Sequence, residues 1–202
     1  MPDMINKAIE FIKQLFGNTA DGHDADHSLR VFNNAMSIAK NYPDCDLTLI
    51  ALAALLHDVD DHKLFKTENN ANARSFLNEQ EMDPNSIDKI CDIINAVSFS
   101  KNKGKHPETI EAKIVQDADR LDALGAVGIA RTFAYGGRKG RPMEASIEHF
   151  HEKLLLLKNL MNTPEAREIA EKRHAFLERF LAEYEDETEA ATQEKYVSKI
   201  KY

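Results

Sequence analysis

A histidine and an aspartate stand side by side at His57-Asp58, closing the apolar run that ends in Leu55-Leu56. An imidazole and a carboxylate on adjacent residues can both ligate one divalent metal. Two further segments offer the same chemistry: His23-Asp24-Ala25-Asp26-His27 upstream and Asp117-Ala118-Asp119-Arg120-Leu121-Asp122 downstream. A ligand pair plus single ligands spread along one chain points to a metal-dependent hydrolase. Taken alone, His57-Asp58 also suits a plain helix end, where histidine meets the carbonyl dipole and aspartate favours a turn. The apolar helix before it places both side chains at the edge of the core, and a carboxylate buried there needs a partner.

His23 and His27 are four apart, which on a helix aims both the same way, as in metal-binding histidine pairs. A surface pair at a helix start is the competing reading. We favour His27, because His23 falls in or before the first turn, where Asp24 and Asp26 compete as the cap. Asp119 and Asp122 are three apart and share a face of a strongly apolar helix, while Asp117 points elsewhere. Acidic residues on such a helix are either solvated or drawn to a cation. Arg120 pairing with a neighbouring carboxylate is the structural alternative.

The elements that must position these groups read as helices. Ile5, Ala8, Ile9, Ile12, Leu15 and Phe16 recur at helical spacing before Gly17. A second helix is expected from Asp24 to Asn41. A third, from Asp46 to about His57, is apolar nearly all round and should be buried. Thr67 is the expected cap of a fourth, and Asp83-Pro84 opens a fifth with proline at its first position. A long helix should run from Glu108 to Leu124, with Gly125 as a break, followed by a short one to Tyr135. Two basic loops are expected, at Lys101 to Pro107 and Gly136 to Pro142. Two more helices start near Ser146 and at Thr163-Pro164, and residues from Glu185 onward fray or extend the last one. Val97 to Ser100 alternates but is too short to carry a sheet. The expectation is one all-α domain over residues 1–202.

Composition narrows the function. Lys and Arg number 26 against 34 Asp and Glu, a formal charge of −8 that argues against long DNA or RNA as a partner. No stretch is long and apolar enough for a membrane span, and the N-terminus shows no secretory pattern. Cys45 and Cys91 have no nearby cysteine partner, so a reducing cytoplasm fits best.

His27, His57-Asp58 and Asp119 stand in the order and spacing of the H…HD…D signature, and the chain resembles the HD-domain metal-dependent phosphohydrolases. The flanks extend the likeness to the YedJ/YpgQ-type branch: His23-Asp24-x-x-His27-x-x-Arg30-Val31, His57-Asp58-x-Asp60-Asp61-His62-Lys63, Gln116 to Gly125, and Arg131-Thr132-Phe133-Ala134-Tyr135-Gly136-Gly137. The resemblance covers about residues 20–145, with the C-terminal helices over about 146–202 beyond it. It implies a helical HD domain with His27, His57, Asp58 and Asp119 as metal ligands around one central site. It also implies a nucleotide pyrophosphohydrolase that splits nucleoside triphosphates into monophosphate and pyrophosphate through a metal-activated water. A nucleotidase or phosphodiesterase on the same scaffold is one alternative, and a non-enzymatic nucleotide sensor is the other. Several HD hydrolases carry glutamate three residues after the doublet's aspartate. This chain has Asp61 there, one methylene shorter and still able to act as general acid/base through water.

Two imidazoles and two carboxylates favour Mn²⁺, with Fe²⁺, Co²⁺, Ni²⁺ and Mg²⁺ as further candidates. The basic and polar residues near the motifs are the substrate candidates: Arg30, Lys63, Lys101, Lys103, Asp122, Tyr135 and Arg138, joined by Lys66, Lys105, Lys139 and Arg141. Tyr135 is a stacking candidate for a base. His62 and His106 match no clear ligand position for a second metal. The expected partner is a small-molecule nucleotide, and a homodimer is left open.

Overall fold

The structure, a computed structural model, describes residues 2–17, 24–62, 64–97 and 106–192. Nine α-helices and one 3-10 helix make up the described chain, with no strand among the described residues. They are α1 (Pro2–Phe16), α2 (Ala25–Ala39), α3 (Leu47–Leu56), α4 (Ala71–Glu79), α5 (Pro84–Val97), α6 (Ile110–Asp122), α7 (Gly125–Arg138), α8 (Met143–Glu152), the 3-10 helix Leu154–Leu160 and α9 (Pro164–Thr192). The all-α expectation holds.

α3 is the axis of the fold. Asp46 caps it by accepting from the amides of Thr48 and Leu49 at 2.8 and 3.1 Å. Every residue from Ile50 to Leu56 is buried, as its all-round apolar sequence requires. Each large aliphatic side chain withdrawn from water there contributes roughly 1.5–3 kcal/mol. α2, α5, α6 and α1 pack around it, so the helix ending in His57-Asp58 delivers that doublet into the centre of the bundle.

α6 is anchored on both sides. Its buried Asp117 accepts from the amides of Asn162 and Thr163, the Thr163 hydroxyl and the Asn162 side chain, at 2.8–3.1 Å. These contacts hold the chain just ahead of α9 and explain a carboxylate turned away from Asp119. Arg120 donates to the Leu160 carbonyl, not to a paired carboxylate. From α9, Arg173 donates to the Leu121 carbonyl at 2.6 Å and to Asn34 of α2 at 3.2 Å.

Four local expectations need correction. Thr67 caps nothing: α4 starts at Ala71, behind Asn69 and Asn70 in the left-handed region at φ 56° and 55°. The orphan amides of its first turn are met instead by Asp60, which accepts from Asn72 and Ala73 at 3.0 Å each. α6 starts at Ile110, capped by Thr109, whose hydroxyl accepts from the Ala112 amide. Gly136 and Gly137 are helical, because α7 runs on to Arg138 and closes only at Gly140, φ 63°. Gly136 lacks a Cβ for a steric reason: one there would lie 2.5 Å from the buried Ser146 hydroxyl of α8. α8 itself begins at Met143, so Ser146 lies inside it. The final helix carries on past Glu185 to Thr192.

Asp117→Ala leaves two buried amides without their acceptor, at a typical cost of about 1–3 kcal/mol each. We expect it to lower the unfolding free energy by about 2–4 kcal/mol in denaturant titration, with the metal content per folded chain unchanged. A loss below about 1 kcal/mol would show that this clamp is dispensable.

Candidate metal centre

Three helices deliver the donors. Asp24 wins the competition for the cap of α2, its carboxylate accepting from the His27 amide at 2.7 Å. That sets the first turn and turns the His27 side chain into the core, where it is 2% exposed. His57 caps the C-terminus of α3 in helical conformation, and its Nδ1 lies 2.9 Å from the Ala54 carbonyl, an orphan acceptor of the last turn. α6 brings Asp119 and, one turn on, Asp122 to the same side.

The geometry is convergent. The Nε2 atoms of His27 and His57 are 3.2 Å apart. Asp119 Oδ1 is 3.4 Å from the first and 3.8 Å from the second. Asp58 approaches both at 3.5 Å, Oδ2 toward His27 and Oδ1 toward His57. His27, His57 and Asp119 each offer an atom within 4.8 Å of the other two, the only such group of metal-capable side chains among the described residues.

The hydrogen bonds decide what this arrangement suits. A backbone carbonyl can only accept, so His57 Nδ1 carries its proton and Nε2 presents a lone pair. His27 Nδ1 lies 2.7 Å from Asp122 Oδ2, which likewise assigns its proton to Nδ1. Two imidazole lone pairs therefore face each other, flanked by two carboxylates. Only a shared proton or a cation resolves that arrangement, and a mixed nitrogen and oxygen set suits a divalent transition metal. The residues present fit a metal.

Charge follows from the same contacts. Burial disfavours a charged His27, but its bonds to Asp119 and Asp122 outweigh burial and raise its pKa to about 9. Burial also opposes ionisation of Asp119, yet the His27 bond and the two imidazoles hold its carboxyl below the ordinary value. Asp122 is likewise held below the ordinary value, against burial, by His27 and Arg30.

The remaining candidates are distributed unevenly. Asp58 and Asp119 keep 13% and 28% of their side chains exposed, so the centre is open on that side. Asp61 sits in the turn after the doublet, its amide on the Asp58 carbonyl and its side chain 18% exposed. Asp122 is 2% exposed and lies behind His27. Its oxygens take Arg30 Nε at 2.7 Å, Arg30 Nη2 at 3.1 Å and Arg131 Nη1 at 2.7 Å. Arg131 is the member the sequence did not single out; its signal was its place on the helix immediately after the acidic motif. Tyr135, one turn further along α7, has Lys139 and Arg141 over its ring at 5.7 Å each, and Arg138 is exposed. Lys66 is exposed. His62 is exposed beside Asp61, and His106 contacts Asn162. Lys63, Lys101, Lys103 and Lys105, together with His23, lie outside the described residues.

Comparison with known proteins agrees with this geometry. The HD domain family model matches residues 24–124. Bacillus subtilis (strain 168) YpgQ is 39% identical over 184 residues, spanning 87% of this chain and 89% of YpgQ. The crystal structure of B. subtilis YpgQ in complex with ADP superposes with a TM-score of 0.79 at 33% identity over the structural alignment, covering 92% of this chain and 95% of that one. An HD-superfamily hydrolase from Bacillus thuringiensis gives a TM-score of 0.75 at 40% identity, with 94% and 98% covered. The chain belongs to the HD domain family and is, as that family and its hydrolase neighbours define, a metal-dependent phosphohydrolase. HD domains bind a divalent metal, and His27, His57 and Asp119 are placed to be ligands. Among the described residues no helix is long and apolar enough to cross a membrane.

Metal and proton compete for His27. Because its pKa in the metal-free protein is raised to about 9, binding a cation below that pH displaces one proton. Metal affinity should therefore climb about tenfold per pH unit from pH 7 and level off near pH 9, with about one ion per chain in elemental analysis. The imidazolium steadies the metal-free fold below pH 6.5, and that support fades as pH rises through 9. A pH-independent metal affinity over this range would contradict the assignment.

Proposed function

We propose that this hydrolase is a nucleotide pyrophosphohydrolase that cleaves (deoxy)nucleoside triphosphates to monophosphate and pyrophosphate, with Mn²⁺ as its favoured metal. The observation that carries the reading is the meeting of two Nε2 atoms, 3.2 Å apart, with carboxylate oxygens of Asp58 and Asp119 at 3.4–3.8 Å. We assign His27, His57, Asp58 and Asp119 as the ligands. The crystal structure of YpgQ with ADP supports a nucleotide as the substrate class.

His27, His57, Asp58 and Asp119 would hold a divalent cation, which would supply Lewis-acid activation of water near neutral pH and neutralise phosphoryl charge. Asp61, at the entrance turn, takes the proton of the attacking water. One water adds across the α–β anhydride: its oxygen ends on one phosphorus, and the bridging oxygen leaves with the other. Arg30, Lys63, Lys101, Lys103 and Arg138 bind the polyphosphate, since charge-assisted contacts from Arg or Lys are the stronger class of hydrogen bond. Asp122 departs from that group: at 2% exposure we read it as serving His27 and the arginines, not as touching substrate. Tyr135 stays a candidate for contact with the base, within the limits set by Lys139 and Arg141 over its ring. The single buried cluster that runs from Ala8 to Leu181 supports reading residues 1–202 as one domain. The two free cysteines support a reducing, cytoplasmic setting.

A panel of nucleoside triphosphates with Mn²⁺, products separated, should yield pyrophosphate and monophosphate. Orthophosphate as the sole inorganic product would favour the nucleotidase, and no turnover despite bound metal would favour the sensor. Asp61→Asn should keep the metal and lose about 10²–10⁴-fold in kcat; parental activity would refute its role. Neutralising Lys101, Lys103 and Lys105 together should raise KM for a triphosphate more than for a monophosphate.

A further inference from the structure

One carboxylate in the core receives far more than a buried anion needs. Asp122 Oδ2 takes His27 Nδ1 at 2.7 Å, Arg131 Nη1 at 2.7 Å and Arg30 Nη2 at 3.1 Å, while Oδ1 takes Arg30 Nε at 2.7 Å. The donors come from α2 and α7, and the acceptor from α6. One arginine would have balanced its charge. Two converge on it, and both guanidiniums stay partly exposed, at 34% and 19%. Asp24 and Asp26 lie within electrostatic reach of Arg30, but Asp24 is engaged at the helix cap and Asp26 is exposed. A guanidinium carries five N–H donors in a fixed fork, and Arg30 spends two on Asp122. The oxygen that holds Arg131 also holds His27 Nδ1, so one carboxylate links this pair to a metal-donor ring.

We propose that Asp122 is a positioning residue with two outputs: it locks His27 in the Nδ1–H form so that Nε2 serves the metal, and it aligns Arg30 and Arg131 as a guanidinium pair for a phosphate group beside that metal. The second output rests on the phosphohydrolase reading of the site. It does not depend on which nucleotide is cleaved or which bond breaks.

Asparagine at this position reveals the role. It has one oxygen where the aspartate has two, and its amide nitrogen must face either Arg30 Nε or the cluster at Oδ2. Where that nitrogen faces His27, the ring must accept at Nδ1, which moves its proton to Nε2 and blocks the metal. Partners of metal-bound histidines typically carry about 10–100-fold in metal affinity.

The test uses the full-length protein, stripped by chelation and titrated with Mn²⁺ in a calorimeter. Inorganic phosphate is then titrated into the Mn²⁺-loaded protein. Asp122→Asn should weaken Mn²⁺ binding about 10–100-fold. Arg30→Gln and Arg131→Gln should leave Mn²⁺ affinity within about threefold while weakening phosphate about tenfold. Parental Mn²⁺ affinity in Asp122→Asn would overturn the positioning role. Parental phosphate affinity in both arginine variants would overturn the anion site. Should Asp122→Asn not fold, histidine ¹⁵N shifts of the Zn²⁺-loaded parent decide the first point. The Nδ1–H form of His27 is expected, and the opposite tautomer overturns it. None of these readouts needs turnover, so a failed nucleotide assay would leave their outcome distinct.

Discussion

Two imidazole nitrogens that both offer lone pairs repel unless something positive sits between them. That constraint organises this protein. It arises because each ring has its other nitrogen committed, His57 to the Ala54 carbonyl and His27 to Asp122. With Asp58 and Asp119 beside them, the centre demands either a proton or a cation. The raised pKa of His27 is the proton's answer, and a divalent metal is the other.

Holding four such groups together costs free energy, since burial alone disfavours each charge. The surrounding contacts explain how the arrangement persists. α6 carries two of the critical carboxylates and cannot drift, because Asp117 grips the start of α9 and Arg173 returns from α9 to the Leu121 carbonyl. Arg173 also reaches Asn34, which donates to the Ala118 carbonyl, so α2 and α6 are fixed relative to each other. The turn after the doublet is tied down in the same manner, with Asp60 serving as the cap of α4. Residues next to the chemistry thus hold elements, and residues far from it hold the chemistry.

This division explains what the sequence revealed. The apolar run of α3 ending in His57-Asp58 was legible, because burial and ligand type are both written in residue identity and order. Asp24 was legible as a candidate local cap, since a cap's chemistry lies within three residues of the amides it serves. Thr67 misled because the acceptor for α4 is Asp60, twelve residues upstream of the first amide it meets by way of an intervening turn. Gly136 and Gly137 misled because glycine marks both flexible loops and close helix packing, and only the Ser146 contact distinguishes them. Asp122 was placed on the correct helix face, but a helical wheel gives direction without depth. Its burial depends on α2 and α7, whose arginines arrive from 92 residues before it and 9 after it.

The electrostatic balance of the site follows from these placements. A divalent ion would offset Asp58 and Asp119, and Asp122 offsets one of its two arginines. The two guanidiniums put positive charge close to the donors of a chain whose formal charge is −8. A compact polyanion can reach that charge, whereas a long nucleic acid must also lie against the acidic remainder. On the proposed reading, local attraction and global repulsion act over different distances, and salt screens the second more than the partly buried first.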